Sequence, residues 1–148
     1  MIRALSLLAM LAIAPLLAGC GLSPFGFGLN STDCMTRVMY FESNRSSPEG
    51  MLAVGTVVMN RMGDRNYPHS VCAIVGQPNQ FAPGVLWLPM KEGRSLKLAH
   101  DMATRVLNGY RSPDVGEAKF FHTAGYVFPY TNMHYTTVQG GNAFYEKY

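Results

Sequence analysis

The segment "SSPEGMLAVGTVVMNRM" (residues 46–62) restricts the fold more than any other stretch of the chain. Ser47 suits a helix N-cap, Pro48 its first turn, and Glu49 the positive end of its dipole. The body that follows is apolar or small on nearly every side. A helix without a polar face has to be surrounded. The pattern therefore predicts a central buried helix with the other elements packed round it.

Those elements are legible in outline. "STDCMTRVMYFES" reads as a helix opened by Ser31, Thr32 or Asp33. "GDRNYPHS" is a turn-rich loop, "SVCAIVG" a short helix or strand, and "QPNQFAPGVLWLP" a loop carrying aromatics. "RSLKLAHDMATRVLNG" is an amphipathic helix with Leu96, Ala99, Ala103, Val106 and Leu107 on one face and Gly109 as its stop. "AKFFHTAGYVF" and "NAFYEKY" are short aromatic runs expected to form strands of a small sheet. The fold class is α+β, dominated by helices, in one domain spanning residues 33–148.

Residues 1–19 read as a secretory signal, with Arg3 before an apolar run. They end at Leu17-Ala18-Gly19-Cys20, which resembles the bacterial lipoprotein box and implies lipidation of Cys20; plain secretion is the alternative. Residues 20–32 are then a Gly/Ser/Asn-rich tether, and the membrane is a partner through the lipid. The expected location is the cell envelope, facing the periplasm, with the outer membrane favoured. The formal charge of +3 falls to +2 without Arg3, and no Lys/Arg cluster points to nucleic acid. Cys34 and Cys72, exported together, suggest a disulfide; two buried free thiols are the alternative.

Met35, Val38 and Met39 form an apolar helical stripe, and Glu42 is its next member. An acid continuing a core-facing stripe is costly unless paired, and burial keeps it protonated towards neutral pH. Such a carboxyl can donate a proton to a substrate. Alternatively, Glu42 turns to water at the helix end or pairs with Arg37, Arg45 or Arg61. The remaining acids all suit caps, loops or charged helix faces.

His69, His100, His122 and His134 show no metal-ligand spacing, so neither a metal nor a cofactor is expected. No GxSxG elbow is present, and a thiol nucleophile is disfavoured by export. Aromatics in Gly/Pro-rich loops, among them Phe81, Trp87 and Tyr130, together with Gln77, Asn79, Gln80 and Asn142, suit an open groove for a sugar chain or a protein. His122 is a candidate lining residue of such a pocket.

Several ordered blocks resemble the SleB-type cell wall hydrolases. They are Tyr40–Ser43 (Tyr-x-Glu-Ser), the helix Ala53–Arg61, the turn Tyr67–Val71 and Gln77–Phe81, followed by "AKFFHT" and "GGNAFY". The resemblance implies a lysozyme-like or lytic-transglycosylase-like domain acting on peptidoglycan glycan strands. Glu42 would be its single catalytic acid, with Gln80 and Phe81 lining the groove; Tyr40, His122 and Asn142 complete the expected substrate-binding set. The bond cut would join N-acetylmuramic acid to N-acetylglucosamine. A hydrolytic muramidase and a non-catalytic wall-binding scaffold are the alternatives, and an activating protein partner is left open. The chain departs from the family pattern at Ala143, where many members carry His, and at His122, where other members often carry Tyr or Asn.

Overall fold

The structure is a computed structural model that describes residues 28–45 and 47–148. The signal segment, Cys20 and most of the tether lie outside the described residues. Four α-helices precede a small sheet: α1 (Ser31–Glu42), α2 (Pro48–Met62), α3 (Val71–Val75) and α4 (Gly93–Leu107). A 3₁₀ turn at Pro113–Val115 leads to β1 (Phe120–Thr123), β2 (Met133–Gln139) and β3 (Asn142–Lys147).

The cap of α1 is Asn30, one residue ahead of the expected candidates. Its side chain accepts from the Asp33 N–H, and the Asp33 carboxylate accepts from the Asn30 N–H, completing a capping box. Leu29 packs against the core, so the fold begins a few residues before the expected boundary at Asp33. Ser47 and Pro48 open α2 as the sequence implies.

The central helix is α2, with every residue from Gly50 to Val58 buried. Gly55 lets it be approached from two sides. A Cβ there would lie 2.2 Å from the Met39 Cε of α1 and 3.1 Å from a Val106 methyl of α4. α4 turns Ala99, Met102, Ala103 and Val106 inward and ends at the Asn108 cap, with Gly109 at φ +104°. Cys34 and Cys72 form a disulfide with Cα atoms 5.2 Å apart, joining α1 to α3. It closes a 38-residue separation, which on a chain-entropy account stabilises by roughly 3–4 kcal/mol.

The sheet is antiparallel with order β1-β3-β2. β1 and β3 are the two expected aromatic strands. β2 was not foreseen: "MHYTTVQ" is mostly exposed and has a register shift between Tyr135 and Thr137, so it lacks the clean alternation of a half-buried strand. Its turn into β3 rests on α2. The Asn44 N–H donates to the Gly140 carbonyl at 3.1 Å, and a Cβ on Gly50 would come within 2.5 Å of the Gly140 Cα. That backbone contact seats the start of β3 against the end of α1.

Candidate active site

Glu42 ends α1 and is half-buried, continuing the buried stripe of Met35, Val38 and Met39. Its Oε1 accepts a 2.5 Å hydrogen bond from the Ala82 N–H, in the long loop between α3 and α4. Burial raises the carboxyl pKa above the usual glutamate value, and the Ala82 N–H and the Arg61 charge offset only part of that rise. The main-chain carbonyl of Glu42 is held from the other side by the Asn142 amide of β3, at 2.6 Å.

The arginines that sequence offered as partners are otherwise engaged. Arg37 donates to the Leu88 carbonyl at 2.9 Å, and Arg45 forms an ion pair with Glu92. Arg61 is buried with its Nε donating to the Lys119 carbonyl at 2.7 Å. Its guanidinium lies 5.1 Å from the Phe81 ring centre and 5.6 Å from that of Tyr67. Burial lowers the Arg61 pKa, and among the described residues its Nη1 has no protein partner. Asn60 donates to the Gly116 and Ala118 carbonyls. Together Asn60 and Arg61 fix the segment that leads into β1.

A groove of about 430 Å³ opens over Glu42. Phe41 and Glu42 come from α1, and Asn79, Gln80 and Phe81 from the long loop. Phe121, His122 and Thr123 come from β1, and Asn142 from β3. Glu42 is the one acid among the described residues that line it. Asn79 adopts φ +59°, a left-handed conformation that Asn tolerates better than most residues, and so turns the chain at the groove edge. Phe81 is largely buried, and its ring lies 6.2 Å from that of Phe121 across the groove. A larger depression of about 680 Å³ lies elsewhere, between the start of α1 and α4, and shares no lining residue with the groove.

Of the expected substrate residues, Gln80, Phe81, His122 and Asn142 converge on this groove and Tyr40 does not. Tyr40 is 1 % exposed, its hydroxyl accepts from the Glu92 N–H at 3.2 Å, and Arg45 covers its ring. It anchors the loop to α1 from within. Trp87 and Gln77 line a neighbouring cleft with Phe81, and Trp87 is largely in solvent.

The His122 Nδ1 lies 2.8 Å from the Thr123 carbonyl, which can only accept, so Nδ1 carries a proton. In the neutral ring Nε2 then accepts from the Tyr135 hydroxyl, also at 2.8 Å. Ala143 is the β3 partner of His122, and cross-strand partners share a sheet face. The small Ala143 side chain leaves that face to the imidazole. Sequence reasoning did not find the Ala82 N–H, because a backbone donor carries no residue signature. Among the described residues no three His, Cys, Asp or Glu side chains converge as metal ligands.

The profile of the Cell Wall Hydrolase family matches residues 45–145, starting just after Glu42. A spore cortex-lytic enzyme of Oceanobacillus iheyensis is 31% identical over 68 residues, covering 44% of this chain and 25% of that protein. One from Bacillus cereus is 26% identical over 112 residues, covering 68% of this chain and 41% of that protein. The chain thus spans less than half the length of the curated relatives it matches. The catalytic domain of the germination-specific lytic transglycosylase SleB from Bacillus anthracis superimposes with a TM-score of 0.64 at 22% identity, over 84% of this chain and all of that domain. The Bacillus cereus SleB catalytic domain gives 0.61 at 21% identity, over 87% and 99%. The α+β architecture and the family profile agree, and the chain belongs to the cell wall hydrolase family.

Proposed function

We propose that the protein cleaves peptidoglycan glycan strands between N-acetylmuramic acid and N-acetylglucosamine, as a lytic transglycosylase with Glu42 as its single acid–base. The observation that carries this reading is the half-buried Glu42 carboxyl, its pKa raised by burial, in a groove lined by rings and amides. Oε1 is occupied as an acceptor by the Ala82 N–H, so in the neutral acid the proton belongs on Oε2. That proton passes to the glycosidic oxygen as the bond from muramic C1 breaks, and positive charge develops on the sugar ring. The carboxylate left behind takes the proton of the muramic 6-hydroxyl, whose oxygen closes on C1 to give the 1,6-anhydro product. Two-carboxylate hydrolysis requires a second acid roughly 5–10 Å away. The lining residues offer Glu42 alone.

Gln80, Asn79 and Asn142 supply amides for sugar hydroxyls and acetamides, and Phe41, Phe81 and Phe121 supply apolar faces. The test is mass spectrometry of digested peptidoglycan with wild type and Glu42→Gln. Anhydro-muropeptides from wild type and a loss of about 10²–10⁴-fold in the variant are expected. Reducing muropeptides would mark a muramidase instead, and no product from wild type would mark a scaffold. We further propose that Cys20 is lipidated and holds the domain at an envelope membrane, the outer one in a two-membrane cell. Metabolic labelling with a fatty-acid analogue should mark the wild type and not Cys20→Ser.

A further inference from the structure

The loop from β1 to β2 exposes Tyr126, Val127, Phe128 and Tyr130 at 67, 94, 39 and 63 %. Four large apolar side chains within five residues are an unusual expense for a surface loop, and clustered exposure of this kind marks a contact site. The cluster is continuous with the groove. Phe128 meets the groove residue His122 edge-on at 4.7 Å and 72°. His122 is itself fixed at both ring nitrogens. Beyond it, the Phe128 and Tyr130 rings are nearly parallel, at 14° with centres 6.1 Å apart. Pro129 between them restricts the backbone that sets the pair. No residue from 123 to 133 other than these carries more than a hydroxyl, an amide or a thioether, and none is charged. The loop itself offers no charged side chain to an anionic headgroup or a charged peptide. It suits a neutral chain with apolar ring faces and hydroxyl edges.

We propose that residues 124–132 form a second glycan-binding platform, on which the strand leaving the groove past His122 lies across Phe128 and Tyr130. The ligand class is the N-acetylhexosamine backbone of that strand, met on its apolar ring faces. This rests on the reading of the groove as a glycan site and adds strand-length preference to it.

The test is made in the Glu42→Gln background, so that binding is read without cleavage. Affinity for N-acetylglucosamine oligomers of increasing length is measured calorimetrically, with Tyr130→Ala and with the Phe128→Ala/Tyr130→Ala pair. Without these changes, affinity should keep rising for oligomers longer than the groove holds. The paired variant should lose about tenfold on the long oligomers only, with short-oligomer affinity and melting temperature held. Tyr130→Ala, a change at a mostly exposed side chain, should lose part of that gain. An unchanged length dependence overturns the platform, as does an equal loss at every length. A loss of association with phosphatidylcholine vesicles, with sugar binding intact, overturns it in favour of a bilayer contact. Active Glu42→Gln would sink the catalytic reading while leaving this measurement to stand, whereas no sugar binding at all sinks the platform too.

Discussion

The Asn142 side-chain amide donates a 2.6 Å hydrogen bond to the main-chain carbonyl of Glu42, tying the first residue of β3 to the last residue of α1. Carbonyls at a helix end lack partners within the helix, so Asn142 both satisfies that group and holds the backbone that carries the acid. Asn142→Ala should leave the carbonyl unpartnered in a part-buried place and cost about 1–3 kcal/mol. Turnover should fall more than stability predicts, since the carboxyl loses its platform. Denaturant midpoints and muropeptide release rates, measured on the same preparations, check this.

Glu42 gives a stability signature distinct from its chemistry. Its pKa is raised in the fold, chiefly by burial, so the native state holds the proton more tightly than the unfolded chain. The associated stability is complete below the ordinary glutamate range and is lost as pH rises through the raised value. Gln cannot ionise and can still accept from the Ala82 N–H. Glu42→Gln should therefore melt with wild type in acid and at or above it at neutral pH. A variant that melts lower at neutral pH and equal in acid would contradict the burial of the carboxyl.

The pH dependence of rate should follow from Arg61. A general acid must start protonated, so kcat/KM should fall as pH rises through the Glu42 pKa. The Arg61 charge lowers that pKa, and Arg61→Met should shift the alkaline limb to higher pH. The variant also loses the bond to the Lys119 carbonyl, at about 1–3 kcal/mol of stability. Arg61→Lys, which keeps a charge, should leave the limb nearer its wild-type place.

Gly50→Ala tests the seating of the sheet on α2. The added Cβ would meet the Gly140 Cα at 2.5 Å, and backbone on both sides has little room to give. A loss of about 1–3 kcal/mol or more is expected, read as a lower melting temperature. Gly93→Ala, at the open start of α4 with nothing within 4 Å, should be neutral or stabilising by up to about 1 kcal/mol.

Glu42 was legible in the sequence because a helix repeats every few residues, and an acid on the apolar stripe breaks that repeat visibly. The same local logic found α2, its Ser47 cap and the strands of β1 and β3. It failed where the partner is distant. Nothing near Tyr40 says that Glu92, 52 residues on, will cover its hydroxyl and take it out of the groove. Asn142 is 100 residues from Glu42, and only the folded chain brings them together. β2 escaped notice because its side chains are mostly in water on both faces, leaving no alternation to read.

Length gives α1 one more meaning. With Cys20 lipidated as proposed, the eleven steps from Cys20 to Ser31 extend at most about 40 Å. The twelve residues of α1 add about 18 Å before Glu42. On the proposed reading the acid would then work within about 60 Å of the bilayer, which would confine cleavage to the wall layer nearest the membrane, and a longer tether would widen the territory without touching the chemistry.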